Sequence, residues 1–350
     1  MNKVCFFNLS TYSSIGGIEK YNQNLLKALD FLNIKTTSLS VYDKVNIEEF
    51  NNIEFKNFNK NKLKSSVYLL KNIYKIEELV VSHINLMPIV IVSKILNPKL
   101  NIYIAIYGVE VWKNFSALYR FFFKKISFLS ISSYTTDVFI EFNALKKNNI
   151  HYLPPSVNLD LSSNIKNPYD NKNFNILSLS RLHEADSYKG IDSMIKTIPL
   201  LLNRIPNIKF TIVGSGNDKE RLMQLSQEMG VENYIDFKGF VKGTESYYKY
   251  CDMFCLPSKG EGFGIVYLEA MKYKRPCIAC NEGGQTDVVI NKKTGFLCDY
   301  DDLHCLVENI IRLSENPQKV QELGDNGYQY LLNNFTFDKF QSRLRSILKK

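Results

Sequence analysis

Short apolar segments alternate with helical patterns along the whole chain, and this alternation limits the possible folds more than any other feature. Strands that alternate with helices form a parallel sheet, because each helix crosses back to start a new strand in the same sheet. The alternation stops at residues 152–172, which are rich in Pro, Asn and Ser, and then restarts. With 350 residues, the chain is long enough for two domains with separate cores. The sequence therefore predicts an α/β protein with two doubly wound parallel sheets.

The apolar segments also give the positions of the predicted strands. Helical patterns fill the intervals between them. The strands predicted in the first half are 3–9, 35–41, 79–83, 101–107, 128–132 and 150–153, and those in the second half are 174–180, 208–213, 234–240, 253–256, 276–280 and 295–298.

Residues 258–271 join a predicted strand to a predicted helix through a turn that contains three glycines. Glycine lets the backbone approach a ligand closely, and the amides at the start of a helix can bind phosphate. Two carboxylates, Glu261 and Glu269, flank this site. Carboxylates repel a phosphate unless they bind hydroxyl groups that are attached to it. The combination therefore predicts a site for a sugar nucleotide.

Two cations are expected near the same turn. Arg181 follows a predicted strand and Lys189 precedes a predicted helix, so both belong to the edge of the sheet where such folds bind ligands. A guanidinium and an ammonium group at this edge suit a diphosphate leaving group. The alternative is that both are surface charges on a loop. Gly16 and Gly17 open a helix after the first strand, which indicates either a phosphate or sugar contact or a tight turn.

The net charge of +9 is concentrated in the first half, where residues 1–160 carry 19 Lys and Arg against 12 Asp and Glu. Residues 55–75 and 112–125 are basic and contain no acid. In the second stretch, aromatic residues recur at helical spacing: Trp112, Phe115, Tyr119 and Phe122. A basic helix with an aromatic face suits an anionic membrane surface, and the alternative is a solvated basic side whose aromatic rings pack in the core. Because no nucleic-acid-binding motif accompanies the charge, nucleic acid is not an expected partner.

We expect the seven cysteines to be reduced thiols, because their number is odd and the chain starts with a strand rather than a secretory leader. Four of them imitate zinc-ligand spacing but lie on or beside apolar strands, which favours buried side chains over a metal site: Cys251, Cys255, Cys277 and Cys280. No apolar segment is long enough to cross a bilayer. The sequence therefore predicts a cytoplasmic protein without a zinc site.

Taken together, these segments resemble the retaining glycosyltransferases of family 4, which have the GT-B fold. Glu261 and Glu269 have the Glu, seven residues, Glu spacing of that family. The resemblance covers the second half almost throughout and the first half mainly at two loops. The other segments that carry it are 16–19, 107–112, 180–182, 188–190, 213–216, 237–241, 283–284 and 294–297.

The resemblance implies a role for each matching residue. Arg181 and Lys189 would hold the diphosphate, and Glu261 would contact the donor sugar, so these three would form the catalytic group. Glu269 would bind the ribose, and the backbone near Val241 would bind the base. The other positions implied in donor binding are Gly16, Gly17, Gly262, Phe263, Gly264 and Ile265. As in the family, catalysis would need no metal ion and no cofactor.

One position departs from the family pattern. Many relatives carry a histidine where this chain has Tyr107. A phenol can donate a hydrogen bond to a sugar, but it cannot accept a proton near neutral pH as imidazole does. His83, at the end of a predicted strand, is an alternative contact, and a capped or packed histidine is the other interpretation. Tyr107, Glu110 and His83 are the expected contacts of the acceptor or the sugar.

The resemblance implies a retaining hexosyltransferase that uses a UDP- or GDP-sugar and a glycan acceptor. Residues 1–160 would form a Rossmann-like acceptor domain that faces a Rossmann-like donor domain, residues 161–335, across a central cleft. The helix at about 336–350 would pack back on the first domain. The basic first domain favours a lipid-linked acceptor at the inner face of the plasma membrane, in capsule, O-antigen or exopolysaccharide synthesis. The alternatives are a GT-B sugar-nucleotide epimerase, a phosphorylase-like transferase and a sugar-nucleotide-binding protein without turnover.

Overall fold

The computed structural model of the protein describes residues 3–13, 16–44, 50–160 and 165–348. The chain divides into two compact units, of which the first comprises Met1–Ser156 and Thr336–Lys350 and the second comprises Val157–Phe335. The first unit thus ends slightly before residue 160, where the sequence predicts the boundary. Residues 161–164 of the predicted linker and residues 349 and 350 of the predicted last helix lie outside the described residues.

The described part of the first unit contains one parallel sheet of seven strands. The strands are β1 (Val4–Asn8), β2 (Thr36–Ser40), β3 (Ile53–Asn57), β4 (Glu78–Val81), β5 (Asn101–Ile106), β6 (Ser127–Ser130) and β7 (Ile150–Tyr152). Their order in the sheet is β3-β2-β1-β4-β5-β6-β7. The sequence prediction missed β3, because it is an edge strand in which only Ile53 is buried. The predicted doubly wound sheet is confirmed.

Helices cover both faces of this sheet. They are α1 (Gly17–Phe31), α2 (Lys62–Lys71), α3 (Met87–Leu96), α4 (Ala117–Phe123) and α5 (Ser133–Asn143). Residues of α2 to α5 share one core with alternate residues of the strands. Since βαβ crossovers are right-handed, α1 lies on the opposite face, because it connects β1 to a neighbour on the other side of the sheet.

The aromatic residues of the basic stretch pack into that core. The helix predicted at about 114–125 is shorter than expected, so Trp112 and Phe115 precede α4, and their rings are partly buried against the core. The ring of Phe115 lies 5.2 Å from that of Phe123, and Phe122 is 7% exposed. The predicted exposed face of Trp112, Phe115, Tyr119 and Phe122 is therefore wrong, and the alternative of core packing describes these four residues.

The described part of the second unit contains a parallel sheet of six strands. The strands are β8 (Phe174–Leu179), β9 (Ile208–Val213), β10 (Ile235–Gly239), β11 (Met253–Leu256), β12 (Cys277–Cys280) and β13 (Gly295–Cys298). The helices are α6 (Ile191–Leu201), α7 (Lys219–Glu228), α8 (Glu245–Tyr250), α9 (Ile265–Lys272), α10 (Leu303–Ser314) and α11 (Pro317–Asn334). The strand order is β10-β9-β8-β11-β12-β13, and every strand lies within two residues of its predicted position.

The last helix, α12 (Phe337–Leu348), belongs to the first unit, although it follows the second in sequence. Phe340 of α12 packs against Tyr21 of α1, with 5.6 Å between the ring centroids. Both rings are almost completely buried, so α12 completes the core on the α1 side of the first sheet. Among the described helices, none combines the length and the apolar character that a membrane span requires.

Two cysteines contradict the expectation of reduced thiols. Cys298 ends β13 and Cys305 lies in the first turn of α10, and the two form a disulfide with Cα atoms 5.7 Å apart. The short connection between strand and helix brings the two sulfur atoms together, which an odd cysteine count does not reveal. The other cysteines are free and buried: Cys5, Cys251, Cys255, Cys277 and Cys280.

Glu78, at the start of β4, generates a pH-dependent prediction. Burial and repulsion from Glu77 raise the pKa of its carboxyl group to about 7. The folded protein therefore disfavours the charged form, and wild-type stability falls as the pH rises from the ordinary pKa of a glutamate to the raised one. We expect Glu78→Gln, which is uncharged at every pH, to raise the free energy of unfolding of the first unit by about 2 kcal/mol at pH 8. The gain should nearly vanish at about pH 4, where the carboxyl is protonated in the folded state and largely protonated in the unfolded state.

Urea unfolding at the two pH values measures the effect. Glu141→Gln is the matched control, because Glu141 is an exposed glutamate on α5 of the same unit, so its loss should change stability by less than about 1 kcal/mol. If Glu78→Gln and the wild type had the same free energy of unfolding at the higher pH, the raised pKa of Glu78 would be contradicted.

Candidate active site

The carboxyl end of the second sheet contains one position where the direction of winding reverses. Strands run outwards from β8 on one side and from β11 on the other. The loops after two such strands diverge to opposite faces of the sheet and leave a crevice, which is where open α/β sheets bind ligands. The loop after β8 contains Arg181 and Lys189, and the loop after β11 contains Glu261. The topology therefore delivers all three residues to one place.

Lys189 and Glu261 form an ion pair across this crevice, with 2.6 Å between Nζ and Oε1. The two side chains are only 15% and 14% exposed. Burial lowers the pKa of the Lys189 ammonium group, but the Glu261 carboxylate more than compensates, so the pKa lies above its ordinary value. Lys189 is therefore positively charged at neutral pH, although it has little contact with water.

Arg181 lies on the same loop, but its side chain is 77% exposed. Its Nη2 donates a hydrogen bond to Oδ1 of Asp186 at 3.2 Å, and the hydroxyl of Tyr188 donates to the same oxygen. Asp186 is 9% exposed, so a nearly buried carboxylate anchors an exposed guanidinium, which has further N–H donors for a ligand. Sequence reasoning missed Asp186, because an acid in an irregular loop follows no periodic pattern.

Close backbone contacts bring the loop after β8 against the loop after β11. The amide of Lys259 donates to the carbonyl of Tyr188 at 2.8 Å. Gly190 has a left-handed conformation with φ of 74°, and a Cβ atom there would lie 2.4 Å from the carbonyl oxygen of Pro257. Glycine is required at this point, since any other residue would be strained and would clash. This contact places Lys189, the preceding residue, beside Glu261.

Gly264 lies at the start of α9 in a left-handed conformation, with φ of 90°, and no side chain caps this helix. The first amides of a helix have no partner within it, so those of α9, including that of Ile265, can receive an anion. Gly262 approaches Gly284 closely, because a Cβ on Gly284 would lie 2.0 Å from the Gly262 carbonyl oxygen. The ring of Phe263 is buried against Phe335 instead, so Phe263 offers a ligand only its backbone.

Glu269, predicted to bind the ribose, lies in α9, and Val241, predicted to bind the base, lies in the loop after β10. Oε2 of Glu269 accepts a hydrogen bond from the hydroxyl of Tyr248 at 3.1 Å, and Tyr248 is 1% exposed. The buried phenol therefore orients this carboxylate. Val241 follows β10, which lies two strands from β8, or about 10 Å at the usual strand spacing. The predicted donor contacts are thus distributed along the carboxyl end of the sheet.

The first sheet reverses its winding in the same way between β1 and β4. The loop after β1 leads to Gly16 and Gly17 at the start of α1, and the loop after β4 contains His83. Nδ1 of His83 accepts a hydrogen bond from the amide of Asn85, so His83 caps a short 3-10 helix. Burial lowers the pKa of His83, and the carboxylate of Glu110 opposes this only in part. The imidazole is therefore neutral at neutral pH.

Tyr107 and Glu110 lie beside His83. The rings of Tyr107 and His83 are 6.1 Å apart, and Oε1 of Glu110 accepts a hydrogen bond from the Tyr107 amide at 2.6 Å. Tyr107 is 8% exposed, and its hydroxyl donates to Oδ1 of Asn22 at 3.3 Å. Burial raises its pKa. The phenol proton is thus used inside the first unit, so Tyr107 offers a ligand an acceptor oxygen rather than the donor that the sequence suggested.

Asp43 organises the loop that leads towards Gly16. Its carboxylate accepts hydrogen bonds from three consecutive amides, those of Thr11, Tyr12 and Ser13, at 2.9, 3.0 and 2.9 Å. Burial raises the pKa of this carboxyl, but the hydrogen bonds outweigh burial, so the pKa lies below its ordinary value. Sequence reasoning missed Asp43, because about thirty residues separate it from the amides that it binds.

A direct comparison with known families covers nearly all of the second unit. Residues 163–330 match the family model described as glycosyl transferases group 1. The second unit therefore matches the group 1 glycosyltransferase family. The Lys189–Glu261 pair and the start of α9 lie within the matched residues.

Individual relatives agree with this family. An uncharacterised glycosyltransferase of Haemophilus influenzae is 32% identical over 155 residues, which are 44% of this chain and 43% of that protein. A GDP-mannose-dependent α-(1-6)-phosphatidylinositol monomannoside mannosyltransferase of Mycolicibacterium smegmatis is 29% identical over 182 residues, 49% of this chain and 47% of that protein. The chain therefore spans less than half the length of these two relatives in the alignments.

A solved structure extends the likeness to the whole chain. The crystal structure of Anabaena HepE in complex with UDP and glucose has a TM-score of 0.79, with 16% identity, and the superposition covers all of both chains. At 16% identity, this likeness is evidence for the fold alone. Together with the two parallel sheets, it confirms the predicted GT-B fold with two Rossmann-like domains.

Proposed function

We propose that the protein transfers a hexosyl group from a UDP- or GDP-sugar to a glycan acceptor, with retention of the anomeric configuration. The observation that carries this proposal is the mostly buried Lys189–Glu261 pair at the point where the second sheet reverses its winding. An ammonium group there suits a diphosphate, and a carboxylate suits sugar hydroxyls. The names of two related proteins support a nucleotide-sugar donor, because one depends on GDP-mannose and the other was crystallised with UDP and glucose.

Most of the positive groups in this site suit the diphosphate of the donor. Lys189 is charged, Arg181 extends an exposed guanidinium from the same loop, and the amides of Gly264 and Ile265 lie at the positive end of the α9 dipole. These groups offset the negative charge that develops on the departing diphosphate. We therefore propose catalysis without a metal ion, in which protein cations and backbone amides stabilise the leaving group.

In the proposed reaction, the acceptor hydroxyl attacks the anomeric carbon from the face that the diphosphate leaves. The bond from the anomeric carbon to the acceptor oxygen forms while the bond to the phosphate oxygen breaks. The acceptor proton moves to that phosphate oxygen, and the nucleoside diphosphate departs. Glu261 orients the sugar and offsets developing positive charge, and it forms no bond to the sugar, unlike the nucleophile of a retaining glycosidase.

The other contacts of the donor follow from their places in the fold. Glu269, oriented by Tyr248, would bind the ribose hydroxyls, and the backbone near Val241 would bind the base. For Gly16 and Gly17 we propose a backbone contact with the donor. The backbone of Gly262 and Phe263 would line the turn that carries Glu261, since the Phe263 ring is buried. For the acceptor or the sugar we propose contacts with Tyr107, Glu110 and His83.

The role of Glu261 generates a direct prediction. Glu261→Ala should lower the turnover of transfer by at least about 100-fold, because the donor sugar loses its orienting carboxylate. Nucleotide binding should remain detectable by calorimetry, since Lys189 and the α9 amides are unchanged. Product formation is measured with a panel of nucleotide sugars selected by thermal shift. Glu322→Ala removes an exposed carboxylate that pairs only at the surface with Lys319, and this control should keep wild-type turnover.

Three results would contradict the proposal. Undiminished turnover in Glu261→Ala would exclude the assigned role. Donor consumption by the wild type without an acceptor would instead favour an epimerase, and nucleotide-sugar binding without any consumption would favour a binding protein.

We also propose that the acceptor is lipid-linked and that the first unit contacts an anionic membrane at the inner face of the plasma membrane, in cell-surface polysaccharide assembly. Leu118 and Phe121 of α4 are 57% and 54% exposed, although Phe122 and Phe123 of the same helix are buried. The ammonium group of Lys125 lies 4.1 Å from the centre of the Phe121 ring. Exposed apolar side chains beside cations are the combination that binds an anionic lipid surface.

Vesicle flotation tests this surface. The wild type should float with vesicles that contain anionic lipid at low salt and should be released by high salt, because the attraction is electrostatic in part. Leu118→Ser combined with Phe121→Ser should lower the bound fraction severalfold, since two apolar side chains no longer enter the lipid. Leu200→Ser removes an equally exposed leucine from the second unit and should bind like the wild type. Absence of wild-type binding at low salt would favour a soluble acceptor.

A further inference from the structure

Gln285 is fully buried behind the turn that carries Glu261. Its side-chain nitrogen lies 2.6 Å from the carbonyl oxygen of Glu282, 2.9 Å from that of Ser258 and 3.1 Å from that of Cys280. Ser258 belongs to the loop after β11, whereas Cys280 ends β12 and Glu282 belongs to the loop that follows. One carboxamide therefore hydrogen-bonds to both loops.

Backbone hydrogen bonds join the same two loops around Gln285. The amide of Gly260 donates to the carbonyl of Glu282 at 3.1 Å, and the amide of Gly284 donates to the carbonyl of Glu261 at 2.6 Å. The backbones approach so closely at Gly284 that a Cβ atom has no space. The position of Glu261 thus depends on the loop after β12, and Gln285 lies at the centre of that contact.

A primary amide is the group that fits this place. Its two N–H donors face three carbonyl oxygens, where a carboxylate of the same shape would be repelled and a thioether would leave the carbonyls without a donor. The other end of the side chain contributes no such contact, since Oε1 of Gln285 is buried without a hydrogen-bond partner in the described structure. Gln285 therefore bonds to its surroundings through its N–H groups.

We propose that Gln285 is a positioning residue, which fixes the turn that holds the Glu261 carboxylate against Lys189. This inference rests on the proposed function. Gln285 acts through Glu261 and has no contact with the solvent-facing side of the site, because it is completely buried. Its loss shifts the group that orients the sugar, and a shift of about 1 Å can lower a rate about 100-fold. Lys189, Arg181 and the α9 amides still hold the nucleotide, so affinity for the nucleotide is preserved.

The test compares the full-length wild type with Gln285→Met and Gln285→Glu. Turnover and KM are measured with the donor, and binding of UDP and GDP is measured by calorimetry. Gln285→Met should lower kcat by about 10- to 100-fold, while the nucleotide Kd changes by less than about threefold. Gln224→Met is the matched control, because Gln224 lies on the exposed side of α7 and bonds only locally to Glu228, and it should keep wild-type kcat.

Gln285→Glu gives a readout that a purely structural residue would not give. When its carboxyl is protonated, one donor towards the carbonyls returns, so kcat relative to the wild type should rise as the pH falls from about 8 to about 6. A kcat of Gln285→Met equal to that of the wild type overturns the inference. Equal losses of kcat and nucleotide affinity, or a Gln285→Glu defect that is the same at every pH, also overturn it. If the wild type itself transfers no sugar, the proposed function fails, whereas active wild type with unaffected Gln285 variants overturns only the role of Gln285.

Discussion

The mostly buried ion pair between Lys189 and Glu261 is the interaction on which the candidate site depends. Removal of two charges from water costs several kcal/mol for each ion, and their attraction repays this only when the geometry is held closely. The structure holds it through backbone, with the Gly190–Pro257 contact on one side and the contact of the loops after β11 and β12 on the other. Neither charge can be removed alone without leaving the other buried and unpaired. The glycines around the pair therefore keep the two charges close together, since side chains at these points would separate the loops.

The same pair would allow the proposed site to accommodate both a diphosphate and a sugar. A carboxylate beside an anion site is unfavourable by itself, but here its charge is balanced by Lys189 in the unliganded protein. A bound diphosphate would share Lys189 with Glu261 and would draw further charge from Arg181 and the start of α9. Glu261 would then direct its free oxygen to neutral hydroxyl groups, which are good partners for a carboxylate. In the first unit, the carboxylate of Asp43 accepts hydrogen bonds from three amides. These amides would otherwise be available to bind an external anion.

The sequence predicted those features that have a local or periodic signal. The alternation of strands and helices predicted both sheets, and the glycine turn at 258–271 predicted the start of α9. Strand ends in a parallel sheet meet at one edge, so the convergence of Lys189 with Glu261 could be argued before the contact was seen. The edge strand β3 was missed because its residues are mostly exposed, and the basic stretch was assigned an aromatic face because spacing alone does not tell which side of a helix is covered. Asp43 and Gln285 act through contacts between loops that are distant in sequence, for which a single sequence gives no signal. Asp186 acts within one irregular loop, where no periodic pattern marks it.

Calorimetric titration of UDP and GDP into the wild type and Lys189→Met tests the central claim most directly. If Lys189 holds the diphosphate, the wild type binds one of the two nucleotides, and Lys189→Met binds it at least about tenfold more weakly, a loss of about 1.4 kcal/mol or more. Lys319→Met, which removes a surface ammonium group of the same unit, should bind as the wild type does. Equal affinity in Lys189→Met and the wild type would contradict the account, because the nucleotide would then bind elsewhere.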